Sequence, residues 1–237
     1  MKIVLLAGGL GVRMRPLTYT IPKPLLPIGE RPILEEIVRS LREFGLCDLV
    51  IAVGYRADLI ETYFRDGSHL GVHIEYCREA EPLGTAGPLA LIRTQFGATA
   101  KPDDSLLVMN GDLLTELDVQ ALIDFHGQGG QEITLVTRDY QLRHPYGVID
   151  LDGDRITGIA EKPAVTDKVN AGIYVLRWAA LDLVPEGVPY QMPDLLNSAI
   201  AKGYQVVAYP FEGKWMAIDR VEQLMDSPVA GLRRLGD

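Results

Sequence analysis

Cysteine is scarce: two in 237 residues, Cys47 and Cys77. They stand far apart and fit no metal-ligand or redox spacing, so neither a zinc centre nor a disulfide framework is expected. Each reads as a small apolar filler at the end of a strand or helix. Long hydrophobic runs are also missing. No stretch approaches the length of a membrane span, so no membrane partner is expected. The N-terminus opens directly on a strand pattern, which argues against a signal peptide. Cations are outnumbered, with 23 Lys and Arg against 32 Asp and Glu, a net charge of −9. No basic stripe offsets that balance, which disfavours nucleic acid as the main partner. An anionic nucleotide stays compatible, because cations need concentrate only at its site. These absences together suit a cytoplasmic enzyme. What remains, 47% hydrophobic and 23% charged, is an ordinary globular composition long enough for one large α/β domain.

The chain is organised around its first thirty residues. The apolar run 3–6 reads as a strand buried on both faces. It breaks at Gly8-Gly9 and runs on through Gly11, Arg13 and Arg15-Pro16-Leu17-Thr18 to Pro22-Lys23-Pro24. A long loop rich in glycine and cations, pinned by a strand before it and prolines after it, reads as functional. Gly8, Gly9 and Gly11 let backbone N–H groups approach anionic oxygens. Arg13 can fork onto two phosphate oxygens, and Lys23 adds a compact charge. Two other phosphate loops are excluded. The Gly-Lys-Ser/Thr of a P-loop is absent. The dinucleotide fingerprint fails because Met14 takes its third glycine slot and Val53-Gly54 lacks the ribose-binding acid.

Helical and strand periods then alternate. Pro32 starts an expected helix with Ile33, Leu34, Ile37, Val38 and Leu41 on one face. Strand 49–53, helix 57–64 and strand 72–76 follow. Leu83-Gly84 reads as a turn and Thr85 as the N-cap of a helix through residue 95. Strand 105–109 ends at Asn110-Gly111-Asp112, where Asp112 points into a ligand crevice and suits Mg²⁺. A helix marked by Val119, Leu122 and Ile123 and strand 133–137 come next. This order predicts an α/β, Rossmann-like, doubly wound and mostly parallel mixed sheet. The second half has shorter strands, 148–150 and 155–159, read as a subregion on the same sheet. Gly147, after Tyr146, lets a substrate approach the backbone. Glu161 and Lys162, as strand neighbours, point opposite ways and are not expected to pair. A helix from Pro193 to Ala201 turns Leu195, Leu196, Ala199 and Ile200 inward. Strand 205–209 and a helix after Arg220 complete the pattern.

Gly-Gly-x-Gly-x-Arg-x-x-Pro-Leu-Thr followed by Pro-Lys-Pro-x-x-Pro-Ile resembles the signature loop of the sugar-1-phosphate nucleotidyltransferases. Further segments extend the resemblance over nearly the whole chain. It implies a nucleotide-diphospho-sugar transferase fold in a single domain over residues 1–237. About residues 1–115 would be the nucleotide-binding half and about 116–237 the sugar-binding half. The substrates implied are a nucleoside triphosphate and a sugar 1-phosphate, with Mg²⁺ as cofactor. Leu6, Ala7, Gly8, Gly9, Gly11 and Arg13 would bind the nucleotide. Glu79, Pro82, Leu83, Gly84 and Thr85 would line the base pocket. Their Glu-Pro-Leu-Gly-Thr-Ala-Gly form looks most like mannose- and heptose-type guanylyltransferases. Asn110, Gly111, Tyr146, Gly147, Glu161, Lys162, Asn170 and Gly172 would meet the sugar phosphate. Tyr174 reads equally as packing. Arg13 and Lys23 would be catalytic.

One departure stands out. Relatives read Trp-x-Asp-Ile/Thr-Gly, where the Asp is the second metal ligand, but here that position is Ala217. Cytidylyltransferase-like relatives place the acid two residues later, which makes Asp219 the expected partner of Asp112. Residues two apart on a strand share a face, so a small adjustment could serve the same ion. The rival reading is a weakened, NDP-sugar-binding regulatory paralogue; a nicotinamide dehydrogenase lacks its glycine and acid. Guanine with a mannose- or heptose-type sugar is the first expectation, and thymidylyl, uridylyl or cytidylyl transfer stays open. Relatives with an added β-helix are longer, so no acyltransferase activity is expected. Homo-oligomerisation is left open.

Overall fold

The computed structural model describes residues 1–226; residues 227–237, the end of the unit expected from the sequence, lie outside the described residues. The elements run β1 (Lys2–Leu6), β2 (Pro27–Ile28), β3 (Arg31–Pro32), α1 (Ile33–Glu43), β4 (Asp48–Val53), α2 (Ala57–Phe64) and β5 (His73–Arg78). Then come α3 (Pro88–Phe96), β6 (Ser105–Asn110), β7 (Leu113–Thr115), α4 (Val119–Gly129), β8 (Ile133–Arg143), β9 (Val148–Asp152) and β10 (Arg155–Ala160). The last are β11 (Ala164–Arg177), α5 (Met192–Ala201), β12 (Val206–Pro210), β13 (Trp215–Ala217) and α6 (Val221–Asp226).

Seven strands form one sheet in the order β12-β8-β11-β6-β1-β4-β5. Neighbours are parallel except around β11, which runs antiparallel to β6 and β8. The expected mostly parallel mixed sheet is therefore present. After Lys2, β1 is apolar because both its faces are covered. Ile3 and Leu5 pack with α1 and α2, and Val4 packs on the other side with α3 and α5. The five apolar residues expected on the inner face of α1 are all buried. Cys77 is buried, Cys47 is half-buried and neither is bonded. No helix among the described residues is long and apolar enough to cross a membrane.

Three strands end side by side. Leu6 is in register with Ala52 of β4 and Asn110 of β6. The loops after them leave the same edge of the sheet, where ligands bind in open α/β folds.

The second half differs from expectation. β8 and β11 are 11 and 14 residues long and pair from Ala164–Arg143 to Asn170–Thr137 before a bulge. Their outer parts form an exposed two-stranded arm, and β9 and β10 form a separate hairpin beside it. Residues 138–143 and 164–169 have little apolar alternation because neither face of the arm is covered. In α5, Leu195, Leu196 and Ala199 face inward as expected, but Ile200 is 58% exposed. The helix starts at Met192, and its buried face runs through Met192, Leu195, Leu196 and Ala199, one step short of Ile200.

α1 and α2 are joined over the sheet by Glu35. This carboxylate is 5% exposed and accepts from Tyr63 Oη at 2.5 Å and Arg39 Nε at 2.6 Å. Burial alone would raise its pKa, but the Tyr63 bond and the Arg39 bond and charge outweigh that and hold it below the usual range. A lowered folded pKa adds stability above the unfolded pKa, and that stability is lost as pH falls through the folded value. Glu35→Gln is expected to cost about 2 kcal/mol at neutral pH, the scale of a hydrogen-bonded charge. Urea unfolding should show that cost shrinking toward about pH 3, below the ordinary carboxylate range.

Candidate active site

A cleft of about 400 Å³ opens at the shared strand edge. Leu6, Ala7, Gly8, Gly9, Gly11, Arg13 and Lys23 line it from the first loop. Glu79, Pro82, Gly84 and Thr85 form the facing wall, Asn110, Gly111 and Asp112 the floor past β6, and Asp219 closes it. Leu83, expected in the base pocket, does not line the cleft. It is buried behind the wall, and its N–H donates to Glu79 Oε2 at 2.9 Å. Val12, Met14, Pro24 and Pro88 also line the cleft. Their only signal in the sequence was adjacency to the cations and glycines.

The loop is not irregular throughout. It folds into three short 3₁₀ turns, Val12–Met14, Leu17–Tyr19 and Lys23–Leu25. Gly11 sits at φ +59° just before the first of them, and its carbonyl accepts from Thr18 Oγ1 at 2.8 Å. A side chain there would be strained and would press on Thr18. Gly8 leaves room for a close approach, because an added Cβ would lie 2.0 Å from Glu79 Oε1 and would displace that carboxylate. The first loop and the β5–α3 wall therefore meet where residue 8 has no side chain. Burial raises the Glu79 pKa, and the Leu83 N–H only partly offsets it.

The charged end of the cleft joins three distant parts of the chain. Lys23 Nζ contacts Asp112 Oδ2 and lies 2.8 Å from Asp219 Oδ1. Arg13 Nη2 reaches the same Asp219 oxygen at 3.0 Å. Burial by itself would raise the Asp219 pKa; the Lys23 bond and charge, then Arg13, hold it below the usual range. The structure thus brings the two expected metal ligands together, although not for the reason foreseen. β13 ends at Ala217, which pairs with Leu113 of β7. Ile218 N–H then bonds to the Asp112 carbonyl at 2.9 Å. Gln223 Oε1 accepts from the backbone N–H groups of Asp219 and Arg220. A turn fixed by Gln223, not a shared strand face, sets Asp219. Gln223 carried no sequence signal, since it acts only through backbone it meets in the fold.

Thr85 has a different role from the one expected. α3 starts at Pro88 with no side-chain cap. The Thr85 hydroxyl instead accepts from Met192 N–H, at the start of α5, at 2.7 Å. It ties the cleft wall to a helix far along the chain.

The expected sugar-phosphate residues divide. Asn110 and Gly111 line the cleft. Gly172, at φ +75°, packs against the Asn110 side chain from the β11 bulge. Asn170 uses its carboxamide inside that bulge, accepting from Gly172 N–H and donating to Tyr174 Oη, both at 2.7 Å. Tyr174 is 3% exposed and is packing. Tyr146, Gly147, Glu161 and Lys162 lie in the connections that join the β9–β10 hairpin to β8 and β11 and do not line the cleft. Glu161 Oε1 and Lys162 Nζ approach to 4.0 Å, against expectation. They occupy a bend with Lys162 at φ +44°, so strand alternation does not separate them. Among the described residues, the one group of three candidate metal ligands is Asp48, His73 and Glu75, outside the cleft and bridged by Lys2.

Residues 2–230 match the family model for nucleotidyl transferases. The mannose-1-phosphate guanyltransferase of Aspergillus oryzae is 36% identical over 231 residues, 95% of this chain and 62% of that protein. The UTP–glucose-1-phosphate uridylyltransferase of Synechocystis is 34% identical over 238 residues, 93% of this chain and 61% of that protein. The chain spans 61% to 66% of the length of the curated relatives it matches. HddC from Yersinia pseudotuberculosis, solved with GMP-PN, shares the fold with a TM-score of 0.72 at 23% identity, covering 94% of this chain and 96% of that one. A glycine-rich loop, two cations and two converging acids at the strand edge thus coincide with a match over almost the whole sequence: the chain belongs to the nucleotidyl transferase family.

Proposed function

We propose that this chain transfers a nucleotidyl group from a nucleoside triphosphate to a sugar 1-phosphate and releases pyrophosphate. One observation carries the reading. Arg13, Lys23, Asp112 and Asp219 are gathered beside a glycine-lined loop in one cleft. A phosphate oxygen of the sugar phosphate attacks the α-phosphorus in line. A new P–O bond forms there, and the bond to the β-phosphate oxygen breaks. The nucleophile is already an anion near neutral pH, so no general base is needed. The residues position the reactants and offset charge. Arg13, 71% exposed, is free to leave Asp219 and hold the departing pyrophosphate. Lys23 faces the charge that builds at the α-phosphorus. Two carboxylates plus substrate phosphates suit Mg²⁺, and Asp112 with Asp219 would hold the ion, which offsets phosphate charge when bound. Asn110 and Gly111 lead from the cleft to Gly172 at the base of the arm. Along that path Asn170, Tyr146, Gly147, Glu161 and Lys162 are assigned to the sugar and its phosphate. Two unbonded thiols suit a reducing, cytoplasmic setting.

GTP with a mannose- or heptose-type sugar 1-phosphate is the preferred pair. Glu79 supplies the physical reason. An ionised carboxylate only accepts hydrogen bonds. Guanine places two donors, N1–H and the 2-amino group, side by side, whereas uracil and thymine offer one donor flanked by acceptors. Uridylyl, thymidylyl or cytidylyl transfer to a hexose 1-phosphate is the alternative. A regulatory paralogue that binds NDP-sugar without turnover is the reading of another class. A matrix of triphosphates against sugar 1-phosphates, read by pyrophosphate release, separates all of these.

Lys23→Ala is expected to lower turnover on the order of 100- to 1000-fold, as for loss of one electrostatic donor. A loss of only a few-fold would make Lys23 peripheral. Asp219→Ala should raise the Mg²⁺ concentration needed for half-maximal rate; unchanged Mg²⁺ dependence would remove Asp219 from the ion.

Glu79→Gln should lower kcat/KM for GTP relative to UTP by roughly 10- to 100-fold, the weight of hydrogen bonds to a charged group. Because burial raises the Glu79 pKa, the carboxylate protonates at higher pH than usual. KM for GTP should therefore rise in acid sooner in the native protein than an ordinary carboxylate allows, and this acid limb should vanish in Glu79→Gln.

A further inference from the structure

Tyr55 and Arg56 follow β4 and take no part in the chemistry above, yet they touch the first loop at its start and again at its second turn. Tyr55 N–H bonds to the Gly8 carbonyl at 3.3 Å. Tyr55 Oη donates to the Thr18 carbonyl at 3.0 Å. Arg56 Nη2 donates to the Tyr19 carbonyl at 2.5 Å, and its Nε donates to Tyr55 Oη at 3.1 Å. The guanidinium also lies over the Tyr55 ring, 5.5 Å from its centre. Thr18 passes the restraint on, since its hydroxyl holds the Gly11 carbonyl. The glycines and Arg13 lie between these anchor points.

Arg56 holds this position at a conformational disadvantage. Its φ is +53°, in the left-handed region where glycine is favoured. It precedes α2 but its side chain makes no capping bond to that helix. Glycine would satisfy the backbone better and would cap the helix as well. Such residues persist where the surroundings over-determine them, most often at functional sites. What arginine adds is the guanidinium, and every polar contact of that group runs to the loop or to Tyr55.

We infer that Tyr55 and Arg56 are positioning residues: a strap that holds the glycine-rich loop in the shape that receives the triphosphate. This rests on the reading that the loop binds the nucleotide's phosphates. The strap acts on ground-state binding more than on turnover. Lys23 lies beyond it and has its own anchors in Asp112 and Asp219.

The test uses the whole chain and Arg56→Gly. Glycine removes the guanidinium and the backbone strain together, so the melting temperature should stay level or rise. Without ligand, trypsin should cut the Arg13–Met14 bond at least about tenfold faster than in the native protein, as a loosened segment exposes its backbone. The neighbouring Arg15–Pro16 and Lys23–Pro24 bonds resist trypsin and leave that cut as the reporter. KM for GTP and for UTP should both rise about tenfold, the weight of one hydrogen bond to a charged group, with kcat within about threefold. Arg56→Lys, which keeps one donor for Tyr19, should recover part of both effects. Unchanged cleavage overturns the strap, and so does a fall in kcat with KM unchanged. If the native protein turns over no triphosphate, the proposed reaction fails, while the cleavage contrast still decides the strap.

Discussion

Two carboxylates at one point repel each other unless a cation lies between them, and in this fold that cation is Lys23. Its side chain is 13% exposed, and its ammonium joins Asp112 from the end of β6 and Asp219 from the turn after β13. The rest of the cleft depends on that junction. It fixes the far end of the first loop, draws the C-terminal strand pair against the main sheet and leaves Arg13 reaching in from solvent. With Lys23 between the acids and Arg13 on Asp219, two cations balance two carboxylates in the cleft. Such a preorganised set of charges is how electrostatic catalysis, where it operates, avoids reorganisation at the moment of reaction.

The sheet makes this junction available. β1 lies between β4 and β6, and the three strands stop at the same level, so the loops after them share one mouth. Each loop meets the first at a place where bulk is excluded. Glu79 lies against Gly8, Gly54 faces the Gly8 carbonyl and Gly111 faces the Leu6 carbonyl. Ties from far along the chain brace the walls, with Thr85 bonded to the start of α5 and Gln223 gripping the backbone around Asp219. The glycines and the cations of the loop therefore serve one purpose. The former admit close neighbours, and the latter supply charge where those neighbours converge.

The arm follows a different physical rule. Its strands pair with each other but bury little, and Tyr140 and Leu142 are 53% and 51% exposed. Gly172 and Asn110 connect its base to the cleft. Position near the site, with few constraints from packing, is the usual setting for parts that vary with substrate.

The order of elements, the buried strands and the first loop were legible in the sequence, because each depends on residues close together in the chain. Apolar runs announce strands covered on both faces, and Ile33, Leu34, Ile37, Val38 and Leu41 announce the buried face of α1. The glycines, Arg13 and Lys23 announce the loop that lines the cleft. The convergence of Asp112 and Asp219 was expected through resemblance, but the turn that achieves it was invisible, since it depends on Gln223 meeting backbone. Thr85 capping α5, the length of β8 and β11, and the strap of Tyr55 and Arg56 were equally hidden. Local pattern records which face a residue turns toward an interior; it does not record which distant group will be waiting there. Only the folded chain, by setting positions such as 85 and 192 within hydrogen-bond distance, decides that.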